Sequence, residues 1–425
     1  MVDIKIKIRI KLTISAQSMT GLISKICLIF FILSSCSNEN KISTATPESV
    51  GIHTDSVYKA EALMQKFIYD RKFAGISTAV VKDGKMIQRA DFGFADIEMR
   101  RKLESDAIFR IKSMTKPITA AGIMILFDEG KFELDDKVSK FIPEFASTKV
   151  YTPVGDSYQL LPQKNELTIR HLLTHTSGIG YNGRDIPLID SLYKTSFTDL
   201  KQRNLSEQVK TLSAIPLSFQ PGKEWQYGFS IDVVGHLIEV MSGQSLDEFL
   251  KERLFNPLGM KDTEFFVPQE KVERLTELHK IVNGKLIKIE EQDFTKPPSI
   301  FSGGGGLVST MDDYIRFAMM LLNGGTLLDK RILSLKAVQL LTSDQLPKNF
   351  VHSNPNYRHG LAGIIENTGE YGWSGAASTY FRIDPRNNLL ILTMTQFRPN
   401  THHTYGVQFR NIIRNGIKRR NQKGG

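Results

Sequence analysis

The sequence predicts a mixed α+β fold: an antiparallel sheet flanked by helices, with a mostly helical lobe inserted between its two parts. Three observations predict it. Strand-like runs stand near both ends of the body, at 76–81 with 85–90 and at 378–383 with 389–395. Between them, to about residue 301, helical periodicity is interrupted by prolines 143, 153, 162, 187, 216 and 221. The 425 residues, 41% of them hydrophobic, suffice to bury a large core.

Each element has its own warrant. From residue 54, Ala60, Leu63, Met64, Phe67 and Ile68 recur at helical spacing. Asp83-Gly84 between the first two apolar runs is a hairpin signal. Over 113–131 a helix is predicted, with Ile118, Ala121, Ile125 and Leu126 on one face. Another spans 312–323 and is closed by Gly324-Gly325. The late runs are joined by a turn at 384–388, and a last helix over 402–417 carries Tyr405, Phe409, Ile412 and Ile413 on one face. Strands so far apart in the chain must meet in one sheet to bury their apolar faces.

The formal charge of +10 belongs to the ends. Residues 1–25 carry five Lys/Arg against one acid, and 410–425 carry six and none. The body is balanced, so no nucleic-acid partner is expected. The only cysteines, Cys27 and Cys36, exclude a disulfide framework in the body. Cys27 lies within the apolar run 26–33, too short for a bilayer span of roughly 20 residues but suited to a signal-peptide core. Leu33-Ser34-Ser35-Cys36 resembles a bacterial lipobox. The expected organisation is a signal peptide at 1–35, with 1–18 an over-extended start before Met19. A lipid-anchored tether follows at 36–50, a catalytic body at 51–405, and a helix end with a basic tail at 406–425. Acylation of Cys36 would place the protein at the membrane of a bacterial cell envelope.

Three segments carry the chemistry. In Ile111-Lys-Ser113-Met-Thr-Lys116-Pro117, Ser113 and Lys116 stand on one helical face. A serine hydroxyl becomes nucleophilic only when its proton is removed, and a lysine does this only if it is neutral part of the time. Ser-x-x-Lys alone is a weak signal. In Trp225-Gln-Tyr227-Gly-Phe229-Ser230, the Tyr227 hydroxyl can enter a cleft, where its anion beside a protonated lysine can act as a general base, or simply pack. Tyr371-Gly-Trp373-Ser374-Gly375-Ala376 leads into a strand, and its glycines suit a tight turn or a substrate laid along the strand edge.

In this order and at these separations, the three segments resemble the serine beta-lactamase-like family of class C beta-lactamases, DD-peptidases and family VIII-type esterases. Two further stretches match it, Leu167-Thr-Ile-Arg-His-Leu-Leu-Thr-His-Thr-Ser-Gly178 and Ser302-Gly-Gly-Gly-Gly-Leu-Val-Ser309. The resemblance covers about 50–405. It implies a beta-lactamase/transpeptidase-like fold and a covalent acyl-enzyme on Ser113. Lys116 would assist, Tyr227 would shuttle the proton, and the oxyanion would sit between the backbone N–H groups of Ser113 and Ala376. Trp373, Ser374 and Gly375 would line the substrate strand. No metal or organic cofactor and no obligatory protein partner are implied.

The sequence departs from the family twice. Trp373 replaces the lysine of Lys-Thr-Gly, and Phe229 replaces the asparagine of Tyr-x-Asn. Both changes put apolar surface where a drug carboxylate or amide would be recognised. They favour a small-molecule ester or amide substrate, with an esterase the leading expectation. The alternatives are a beta-lactamase or DD-peptidase, and a catalytically silent wall-peptide-binding lipoprotein. His171 and His175 lack the glutamate of a zinc motif and read as structural, and glycines 303–306 are expected to pack a strand beside the site.

Overall fold

Strand pairing brings the two ends of the body together. The computed structural model describes residues 42–197, 204–352, 354–400 and 402–418. The central sheet holds strands β1 (Gly75–Lys82), β2 (Lys85–Asp96), β3 (Arg101–Lys102), β4 (Tyr357–His359), β5 (Ile364–Glu366), β6 (Tyr371–Ser374), β7 (Tyr380–Asp384) and β8 (Leu389–Met394). Its order is β4-β5-β6-β7-β8-β1-β2-β3, antiparallel throughout. The early hairpin meets the late strands through β1 and β8, in register from Ser77↔Met394 to Lys82↔Leu389. Asp83 and Gly84 both take positive φ, 52° and 75°, as a two-residue hairpin turn with the twist of its strands requires.

Helices cover both faces. On one lie α1 (Thr54–Tyr69) and the late helix His402–Asn415, where Ile76, Val80 and Ile391 pack with Ala60, Met64, Tyr405, Phe409 and Ile413. Alternate strand residues face the other way. There Phe381, opposite Leu392, meets Tyr314 of the helix Met311–Leu322, ring centroids 5.0 Å apart. Beyond the sheet lies α2 (Thr115–Asp128), buried from Thr115 to Phe127 because it is apolar on every side. Against it packs α3 (Ser230–Ser242), ended by Gly243 in the left-handed conformation.

The structure differs from the sequence expectations in three places. Ser113 precedes α2, in a 3-10 turn over Lys112–Met114. The strand expected from 378 starts at Tyr380, since Ser378 has φ 69° and closes a turn by donating its N–H to Gly375 O. The helical middle also contains two hairpins, Val150–Val154 with Ser157–Leu161 and Leu278–Val282 with Lys285–Ile289. Glycines 303–306 form a turn that leads into Val308–Ser309, which pairs with Phe109–Arg110 just ahead of Ser113.

Residues 43–45 lie along β2, with Ala45 N–H bonded to Met86 O and Met86 N–H to Ser43 O. The expected signal peptide, Cys36 and the tail beyond 418 lie outside the described residues. Among the described residues no helix is long and apolar enough to cross a membrane.

Phe409 is fully buried between its helix and the sheet. Phe409→Ala should lower unfolding stability by about 3–5 kcal/mol in urea denaturation. An unchanged midpoint would contradict that helix as part of the core.

Candidate active site

The site begins with a strained turn. Lys112 has φ 47°, uncommon for a residue with a side chain, and Glu291 anchors it, 2.9 Å from Lys112 Nζ and 2.7 Å from Arg398. The turn presents Ser113 at the mouth of α2, and Lys116 follows on the helix's first turn. Lys116 is completely buried. Its ammonium donates to Gly304 O at 2.5 Å, to Tyr181 OH at 3.1 Å and to Ser113 Oγ at 3.4 Å.

Of the two routes the sequence allows, these contacts favour a protonated lysine beside Tyr227 over a lysine that is neutral part of the time. Burial by itself favours the neutral amine. The oxygens of Tyr227 and Tyr181 and the carboxylate of Asp232 outweigh it, and Lys116 is held above the usual lysine range. Asp232, in the first turn of α3, is also fully enclosed. Burial pushes its carboxyl up, while Lys116, Ser302 Oγ at 2.5 Å and Gly304 N–H at 3.2 Å oppose that push. Gly304 therefore links the two charges, giving its carbonyl to Lys116 and its N–H to Asp232.

Tyr227 stands where the sequence places it. Its hydroxyl donates to Ser113 Oγ at 2.6 Å, and Lys116 Nζ lies 4.5 Å from its ring centroid. Two glycines make this possible. A Cβ on Gly228 would come within 2.4 Å of Gly180 Cα, so only glycine lets the Tyr227 segment approach Tyr181 so closely. Tyr181 then packs edge-on against Tyr227 at 5.3 Å and against Phe229 at 4.6 Å.

The third segment closes the cleft. Trp373 packs against Tyr227 at 5.7 Å and stacks on His175 at 6.2 Å. His359, also fully buried, meets Trp373 at 5.9 Å and Trp225 at 5.1 Å. Gly375 is pressed onto the backbone just before Ser113, and a Cβ there would lie 2.3 Å from Ile111 O. Thr379 Oγ1 donates to the same carbonyl at 3.2 Å, and Gly375 N–H donates to Thr379 O at 2.8 Å. The turn that contains Ser374, Gly375 and Ala376 is thereby stitched to the turn that contains Ser113.

The structure brings Ser113, Lys116, Tyr227 and Trp373 into one cleft, with the Gly375 turn beside them. Sequence reasoning missed Tyr181 and Asp232. Tyr181 lies three residues past a stretch already singled out, Leu167 to Gly178, but nothing in its spacing marks it. Asp232 reads as an ordinary first-turn acid of a helix. His171 is structural: its Nδ1 accepts the Thr168 N–H at 3.2 Å and caps a short helix.

A serine engaged by a lysine and a tyrosine, on a sheet with a helical insertion, defines a serine hydrolase of the beta-lactamase-like class. The chain belongs to the Beta-lactamase family, whose model matches residues 60–410. It is 31% identical to esterase EstB of Burkholderia gladioli over 277 residues, 61% of this chain and 68% of that one. It is 30% identical to the lovastatin esterase of Penicillium rubens over 315 residues, 67% of this chain and 78% of that one. Its fold is similar to that of EstCE1, described as a hydrolase with promiscuous acyltransferase activity. The TM-score is 0.73 at 21% identity, over 85% of this chain and 98% of that one.

The buried histidines tie stability to pH. Burial pushes His359 down to about 3, with His352 and Arg358 adding to the effect. As pH falls from about 6.5, the unfolded chain takes up that proton before the folded one. This share of stability is intact above about 6.5 and is lost progressively as pH falls toward 3. His359→Gln should therefore lose less stability than wild type between pH 7 and 5, by on the order of 1–2 kcal/mol in urea titrations. Equal losses in the two proteins would contradict this reading.

Proposed function

We propose that the protein hydrolyses esters of small apolar acids or alcohols through an acyl-enzyme on Ser113. The observation that carries this reading is the 2.6 Å contact between Tyr227 OH and Ser113 Oγ beside a buried ammonium. Ser113 Oγ attacks the ester carbonyl carbon, and its proton passes to the Tyr227 oxygen. To accept that proton, Tyr227 must first pass its own hydroxyl proton to bulk water, and the Lys116 ammonium beside its ring balances the charge so formed. Lys116 therefore acts as a fixed cation rather than as the base. The tetrahedral oxyanion is held by the N–H groups of Ser113 and Ala376. Support for that pair is the stitching of the Gly375 turn to Ile111, which spends the Gly375 N–H on Thr379. When the intermediate collapses, the C–O bond to the alcohol breaks and Tyr227 returns the proton to the leaving oxygen. Water then attacks the acyl-enzyme by the same route, releasing the acid and restoring Ser113.

The substrate preference rests on what surrounds the nucleophile. At Trp373 the cleft offers an indole stacked on a histidine, not a cation for a carboxylate. Arg382, which donates to the Trp373 carbonyl at 3.3 Å, is already paired with Glu366 at 2.9 Å. Phe229 offers no amide, and it packs on Tyr181 instead. An aromatic cleft favours apolar acyl or alcohol groups over beta-lactams and wall peptides.

A fluorophosphonate probe should label Ser113, mapped by mass spectrometry, while a fluorescent penicillin should not. Tyr227→Phe should lower kcat/KM for a short-chain nitrophenyl ester by roughly 100-fold or more, with most of the loss in kcat. Equal labelling by penicillin would overturn the ester preference. Near-normal turnover in Tyr227→Phe would overturn the role given to Tyr227.

We also propose that Cys36 carries the lipid anchor in a bacterial envelope, a reading supported by the Leu33-Ser34-Ser35-Cys36 motif after a short apolar run. Cys36→Ser should move the protein from the membrane to the soluble fraction of fractionated cells. Retention in the membrane would refute acylation at that residue.

A further inference from the structure

A groove that none of the three active-site segments lines opens where the end of α1, the turn after β2 and the tip of the Leu278–Val282/Lys285–Ile289 hairpin converge. Its volume is about 680 Å³, within the roughly 300–1,000 Å³ range of small-molecule sites. Ile68, Phe94 and Leu286 form apolar wall, while Arg71, Arg100 and Lys285 stand around it. No carboxylate lines it. Among the described residues these three cations make no ion pair, whereas the neighbouring acids Asp70 and Asp96 face Lys66 and Lys288.

The backbone makes the arrangement more specific. Arg71 has φ 52° and Arg100 has φ 53°, the left-handed region in which glycine or asparagine is the usual occupant. Arg71 follows the last turn of α1, where glycine would end the helix at no steric cost. Arg100 ends a turn held by Asp96 Oδ1, which accepts the N–H groups of Glu98 and Met99. Two turns from different parts of the chain thus each place an arginine where local preference opposes it, and both line one groove.

We propose that this groove binds an amphiphile with one carboxylate head and one saturated chain, a fatty acid of about twelve carbons. The chain lies along Ile68, Phe94 and Leu286, and the carboxylate meets Arg71 and Arg100, whose planar guanidinium groups suit bidentate pairing. Concavity favours a single chain over a flat membrane face. The exposed Tyr69 ring, which also lines the groove, gives the chain further apolar surface.

The test uses full-length protein and a photoreactive dodecanoate carrying a diazirine on its chain, with labelled peptides identified by mass spectrometry. Labelling is expected on peptides holding residues 68–73, 94–100 and 284–286, and it should be competed by plain dodecanoate. Arg71→Gln/Arg100→Gln should cut it at least tenfold, with nitrophenyl acetate hydrolysis and thermal unfolding unchanged. The matching diazirine alcohol should label at least tenfold less. Equal labelling of the double variant, equal labelling by the alcohol, or label confined to the Ser113 cleft would each overturn the proposal. So would the absence of dodecanoate labelling in a protein whose retention on anionic vesicles depends on the two arginines, because that result makes the face a membrane contact.

Discussion

A buried ammonium is the constraint on which this active site depends. Lys116 has no access to water, and a charge in that position must be paired or bonded. The fold supplies the partners from three directions: Gly304 O, Tyr181 OH and Ser113 Oγ, with Asp232 behind them. Each partner needs a separate close approach. The 303–306 turn must come within 2.5 Å of the lysine, and a Cβ on Gly304 would lie 2.4 Å from Asp232 Oδ2. The Tyr227 segment must press on Gly180 to bring Tyr181 in. Once the cation is fixed, a negative oxygen on Tyr227 would have its counter-charge in place, 2.6 Å from Ser113 Oγ.

The two departures from the family pattern are physically linked. Losing the asparagine at 229 removes a polar partner from the neighbourhood of Lys116. Phe229 instead packs at 4.6 Å on Tyr181, whose hydroxyl takes up a contact with the lysine. Trp373 likewise belongs to a continuous aromatic wall with Tyr227, His175 and His359. Polar recognition is thus exchanged for stacked apolar surface on both sides of the nucleophile, while the charge balance at Lys116 is kept.

Much of this was legible in the sequence, for reasons that differ by element. The β1–β2 hairpin was readable because Asp83-Gly84 allows few other conformations. Asn283-Gly284, with φ 51° and 75°, carries the same signal, but helical and proline-broken surroundings masked it. Pro153 hid the other hairpin, a two-stranded ribbon with much of its surface in solvent, where a proline is tolerated. Ser113, Lys116, Tyr227 and Trp373 were readable as motifs. Their electrostatics were not: the charge on Lys116 is set by Tyr181, Asp232 and Gly304, which lie 65, 116 and 188 residues from it in the chain. Spacing reveals which residues share a face, whereas only the tertiary fold decides which oxygens surround a cation.

The protonation state of Lys116 tests the central claim most directly. NMR of lysine labelled with ¹³C at Cε, assigned by comparison with Lys116→Arg, follows this one group as pH rises. The fixed-cation account predicts that Lys116 stays an ammonium beyond pH 10.4, where ordinary lysines reach half-titration. Titration of Lys116 below pH 9 would contradict it and return the role of base to the lysine.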